Sequence, residues 1–195
     1  MEQSQPLSLL VKLSYIRWFK AIYFMNIEEL LKSWDNLKGQ LSSIDDLPIN
    51  LLIPFALNDS KPEYWRAAWL IEKACCKNPD LLKPFLPDIY AKAKTTNSYS
   101  HLRHFLIIIN RYPIPEVEQM PIYDFSINLF FKSEAPVAVR AYAMELAYTI
   151  VKIHCELRPE MTQFLEFMLE QPCSSGITAK SKNLLALLCK KSSFR

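Results

Sequence analysis

Two glycines against thirteen prolines in 195 residues set the first limit on this chain. Turns at positive φ and phosphate-cradling loops depend on glycine, so β-rich and nucleotide-loop architectures are excluded. Strand-like alternation of apolar and polar residues is also missing, which points to an all-α fold. No run of about 20 residues is free of charge, the length a membrane-spanning helix needs. No small-residue cleavage site follows an apolar core near the start, so a secretory leader is not expected. The five cysteines are an odd number and include the neighbours Cys75 and Cys76. That is no disulfide framework, and a reducing, cytoplasmic setting is expected. Cys-x-x-Cys, His-Glu-x-x-His, a Ser/His/Asp set and paired carboxylates are all missing, so no catalytic residue, metal ligand or cofactor is assigned.

What is present is a ruler. Arg66, Arg103 and Arg140 recur every 37 residues, and Pro48, Pro84, Pro121 and Pro159 advance beside them in steps of 36, 37 and 38. Each Pro opens one helical run and each Arg opens the next, 18 or 19 residues later. Pro suits a first helical turn because its missing N–H has no intrahelical partner there. The expected helices are 48–59, 63–77, 80–94, 99–111, 115–132, 137–154, 158–170 and 177–191, eight in four pairs. Interior prolines such as Pro54 and Pro87 are expected to bend the first helix of their pair.

In three successive second helices the apolar residues share columns: Trp65/Leu102/Val139, Ala68/Phe105/Tyr142, Trp69/Leu106/Ala143 and Leu70/Ile107/Met144. Spacing of this kind marks a buried helical face. The columns are wide enough to meet both the partner helix and the next pair, as in a stacked repeat. Half the residues are apolar, enough for one domain over 26–195. Ahead of it, 26–44 reads as a helix with Asn26 as N-cap and Glu29 completing a capping box. Residues 1–25 read as an N-terminal extension. An extra helix on the first repeat, a loose extension and a membrane-surface anchor are its alternatives.

The segment from Leu52 to Trp69, with Asp59 in the turn, then Pro62 and Arg66-Ala67-Ala68, resembles a HEAT repeat. Phe130 to Ala141 repeats the pattern, with Glu134 in the turn, Pro136 and Arg140. The pair around Arg103 is a weaker copy, with Asn97 for the turn Asp. The last pair, with Lys180 in the Arg position, is weaker still. The resemblance covers about 45–191 and implies a right-handed α-α superhelix of about four helix pairs, similar to a group of short bacterial all-helical proteins with HEAT-like repeats. It further implies that Arg66, Arg103 and Arg140 form a structural ladder with turn acceptors such as Asp59 and Glu134, the alternative being a ladder for phosphates or carboxylates. It also implies that the second helices line a concave face.

Those second helices carry a net +8, whereas the first helices are net acidic. Lys73, Lys77, Arg111, Lys152, Lys180, Lys182 and Lys190 thus form a candidate basic surface. A protein partner of unknown identity is expected, on a monomer or weak dimer. A nucleic-acid backbone is the alternative, by the architecture of HEAT-like alkylpurine DNA glycosylases. His101 and His104 stand one helical turn apart without a third ligand, and are read as one partly buried and one exposed imidazole. Ser174 to Lys180 faintly echoes a lyase loop but reads better as the approach to the last helix.

Overall fold

The computed structural model describes residues 27–32 and 49–192. The expected extension at 1–25, most of the helix expected over 26–44, and Pro48 lie outside the described residues.

From residue 49 on, eight α-helices follow one another: α1 (Ile49–Ala56), α2 (Trp65–Lys77), α3 (Leu86–Thr95), α4 (Tyr99–Ile109), α5 (Glu116–Phe131), α6 (Val137–Val151), α7 (Arg158–Glu170) and α8 (Ser175–Ser192). Short 3₁₀ turns at Pro62–Tyr64, Pro79–Phe85 and Cys155–Leu157 lead into α2, α3 and α7. No strand occurs among the described residues. The helices pair as α1/α2, α3/α4, α5/α6 and α7/α8, the all-α superhelix the ruler implied.

The prolines act less uniformly than the ruler suggests. Pro159 sits in the first turn of α7, as expected. Pro121 lies inside α5, and Pro54 lies inside α1, which ends at Ala56. The run expected over 80–94 is not one bent helix. Pro84 falls within the 3₁₀ stretch and Pro87 becomes the second residue of α3. Two prolines three residues apart remove two amide donors, so a continuous α-helical ladder gives way to a tighter turn followed by a fresh start.

The core runs unbroken from pair to pair. Ala68, Leu70, Leu102, Phe105, Leu106, Val139, Ala143 and Met144, all from the shared columns, are buried. Second helices pack on both their partner helix and the next repeat, burial that no isolated helix pair supplies. Ile27 and Leu31, in the helical segment 27–32, join the same core. Glu28 in that segment takes contacts from Lys61 and, at 3.2 Å, from the Tyr64 hydroxyl, which ties it to the first pair. At the other end Gly176, in the first turn of α8, allows close approach to α6. A Cβ there would stand 3.0 Å from Val137 Cγ1.

Candidate interaction face

Helices α2, α4, α6 and α8 pack on one another in order, whereas α3, α5 and α7 meet chiefly the second helix of their own pair. The exposed sides of the second helices therefore form one continuous row.

The three ruler arginines divide into two roles. Arg66 donates from Nη1 to the Leu31 carbonyl. Arg140 donates from Nε to the Phe130 carbonyl at 2.9 Å. Phe130 lies in the last turn of α5, where carbonyls lack intrahelical donors and a cation suits the helix end. Both guanidiniums therefore strap neighbouring helices together. The expected pairing with turn carboxylates does not form. Asp59 is taken by Lys92 Nζ and Thr96 Oγ1 of the next repeat, each at 2.9 Å, and the Lys92 hydrogen bond holds its carboxyl below the ordinary value. Glu134 faces Lys132 at 3.8 Å on the surface. A short carboxylate at the turn reaches the adjacent repeat more easily than it reaches a guanidinium already drawn to a helix end.

Arg103 has no hydrogen bond or ion pair among the described residues. It is exposed and lines a cleft of about 240 Å³. Three second helices build that cleft at their N-terminal ends. Helix α2 supplies Trp65, α4 supplies Tyr99, Ser100, Arg103 and His104, and the start of α6 supplies Pro136, Ala138 and Val139. Trp65, read from sequence as core, is only half-buried here. It stands at the first repeat of its column, where Leu102 and Val139 are closed over. Its ring lies nearly parallel to that of His104, 5.7 Å between centroids.

Below the cleft floor is a buried hub. Glu72 Oε2 stands 2.6 Å from His104 Nδ1, and both residues are buried. Burial pushes the Glu72 carboxyl up, but the His104 hydrogen bond, aided by Lys73, outweighs it and leaves the group below its ordinary value. An ionised carboxylate only accepts, so His104 donates from Nδ1. Its Nε2, on the far side of the ring, has no protein partner among the described residues. Lys73 Nζ reaches Glu72 Oε1 at 3.2 Å, and Arg111 Nη1 donates to the Glu72 carbonyl at 3.1 Å.

His101 turns away from this hub, with Nδ1 2.8 Å from Ser98 Oγ. Both histidines are thus buried, against the expectation of one exposed ring, because both lie on the stripe of α4 that meets α2. No group of three potential metal ligands forms among the described residues. The Glu72 hub escaped the sequence reading, although its signal was there: a carboxylate four residues after Ala68 and three before Cys75, on the buried stripe of α2.

A family model described as a HEAT repeat domain matches residues 53–188. The chain belongs to the HEAT repeat family. No curated protein matches it, and no solved structure does.

On this HEAT array the expected basic surface does not form one field. Lys77, Arg111, Lys152 and Lys190 all stand at or just past the C-terminal ends of second helices, where cations offset the partial negative charge of the last carbonyls. Lys152 also lies over the Tyr148 ring at 5.4 Å. Lys73 and Arg111 are engaged with Glu72, and Lys180 pairs with Glu145 at 2.9 Å. Lys182 is exposed midway along α8. The last helix, expected from 177, already begins at Ser175, so Ser175 and Gly176 of the expected loop approach lie in its first turn, where Thr178 N donates to the Ser174 carbonyl at 3.0 Å. No helix among the described residues is long and apolar enough to cross a membrane.

Proposed function

We propose that this HEAT array is a non-catalytic scaffold that holds a protein partner along the inner face of its second helices. HEAT repeats generally mediate protein interactions. The observation that carries the reading to this face is the unbroken packing of α2, α4, α6 and α8, which makes one continuous surface out of four repeats. The odd number of cysteines, with Cys75 and Cys76 adjacent, supports a reducing compartment such as the cytoplasm. Nucleic-acid binding is the weaker reading, since Lys73, Arg111 and Lys180 face carboxylates of the same chain, and phosphate contacts need cations available to replace counterions.

Site-specific photo-crosslinking tests the proposal. A photoreactive residue at Lys152, on the second-helix row, should capture one discrete protein in cells, and the same residue at Glu166, on α7, should not. Equal capture from both rows refutes the face. Binding to duplex DNA that weakens steeply with salt would refute the choice of partner class.

A further inference from the structure

We infer that the cleft between the N-terminal ends of α2, α4 and α6 is a carboxylate-binding site, built to receive an aspartate or glutamate side chain of a protein partner. The choice of a partner's side chain rests on the scaffold reading; the site itself does not.

Arg103 breaks the pattern of its own ruler. Arg66 and Arg140 both donate to carbonyls of neighbouring helices, while Arg103, at the equivalent step, stays exposed at the rim of a cavity. A guanidinium spared from strapping and set beside a concave surface is the natural partner of a planar anion, which it grips with two parallel N–H groups. Deeper in the same cavity, His104 is 5% exposed, yet only its Nδ1 is used, by Glu72 at 2.6 Å. Its ring lines the cavity, and with Nδ1 donating to Glu72 its Nε2 has no hydrogen-bond partner among the described residues and can accept from a water that bridges to a bound carboxylate. Ser100 adds a hydroxyl, and the Trp65 and Val139 side chains supply apolar wall for the methylenes of an entering side chain.

Charge selects a carboxylate over a phosphate. The cavity offers one guanidinium, and behind the imidazole stands the Glu72 carboxylate. A monoanion is matched by Arg103, whereas a dianion would face Glu72 across a single ring. The volume, about 240 Å³, suits one side chain and a little of its backbone, not an extended ligand.

Protein NMR with a set of small probes tests this on the intact chain. N-acetyl-glutamate N-methylamide should shift the amide signals of residues 99–104 and 137–139, with a Kd on the order of 1 mM, as a fragment of that size allows. The isosteric glutamine amide should shift them at least about tenfold more weakly, because it lacks the charge that Arg103 reads. Arg103→Gln should weaken the glutamate probe about tenfold while leaving the fold intact, since the side chain is exposed. Arg103→Lys should restore only part of the loss, because an ammonium lacks the fork.

Several results would overturn the inference: no shift at saturating probe, equal response to the glutamine amide, or inorganic phosphate binding more tightly through Arg103. Micromolar binding of succinate, a free dicarboxylate, would keep the site and overturn its assignment to a protein side chain. Failure of the site is separable from failure of the scaffold. If crosslinking from position 152 survives while the glutamate probe does not bind, only the site falls; if the probe binds and no partner is captured, the scaffold falls with its assignment to a partner's side chain, and the carboxylate site stands.

Discussion

His101 makes this fold sensitive to mild acid, and the size of the effect follows from its burial beside the α1–α2 turn. The ring is 1% exposed, and its Nδ1 lies 2.8 Å from Ser98 Oγ, the N-cap of α4. Burial lowers its pKa from 6.5 to about 4, and the nearby Asp59 carboxylate offsets only part of this. Below pH 6.5 the unfolded chain takes up a proton that the folded protein resists. Stability therefore falls as pH falls, and the loss levels off below about pH 4. Between pH 7 and pH 5 the linkage amounts to about 2 kcal/mol for a shift from 6.5 to about 4. The carboxyls of Asp59 and Glu72 are held low instead, so their contribution is complete above their ordinary values and declines only at more acid pH. The two windows separate. Urea unfolding followed by circular dichroism, at steps from pH 7 to pH 5, reads the loss directly. His101→Leu should remove it, so that the stability difference between the two proteins changes by about 2 kcal/mol over that range, whatever its value at pH 7. Parallel curves for the two proteins, or an NMR titration of the His101 ring with a midpoint near 6.5, would refute the reasoning.

Three further outcomes follow from the same contacts. Arg140→Ala should lower stability by about 1–3 kcal/mol, since it strands the Phe130 carbonyl and the packing around it, whereas Arg103→Ala should stay within about 0.5 kcal/mol; equal losses in denaturant titrations would remove the distinction between strap and rim. Glu72→Ala should cost roughly 3 kcal/mol, because it leaves His104 buried without its acceptor, and a melting temperature unchanged from the parent would contradict the hub. Ser126, fully buried in α5, has a hydroxyl without a hydrogen-bond partner among the described residues, so Ser126→Ala should raise stability by about 1 kcal/mol through relief of that burial and better helix propensity; a destabilised variant in calorimetry would show that the hydroxyl is satisfied.

Periodicity in the chain was enough to place the helices of the array and their pairing, because a helix that buries a stripe on two neighbours must repeat that stripe at the repeat length. Phe105, Leu106, Ala143 and Met144 lie in the core for that reason. The break at Pro84 and Pro87 was legible as two prolines, yet whether they bend a helix or divide it depends on which amides still find carbonyls. Charge was less legible. Lys73, Arg111 and Lys180 counted as surface cations in one dimension, while in three they face Glu72 and Glu145; Lys73 is the chain neighbour of Glu72, but Arg111 and Lys180 reach their carboxylates only because repeats stack.

The sequence by itself determined the all-α class, the repeat length and the positions of three equivalent arginines, since composition and spacing are properties of the chain before it folds. Only the tertiary structure decided what each arginine does. A guanidinium becomes a strap where a carbonyl of a neighbouring helix lies within reach, as Leu31 and Phe130 do for Arg66 and Arg140. It stands at the edge of a cleft where none does, as at Arg103. That distinction rests on distances between residues of different helices, and chain spacing does not carry them.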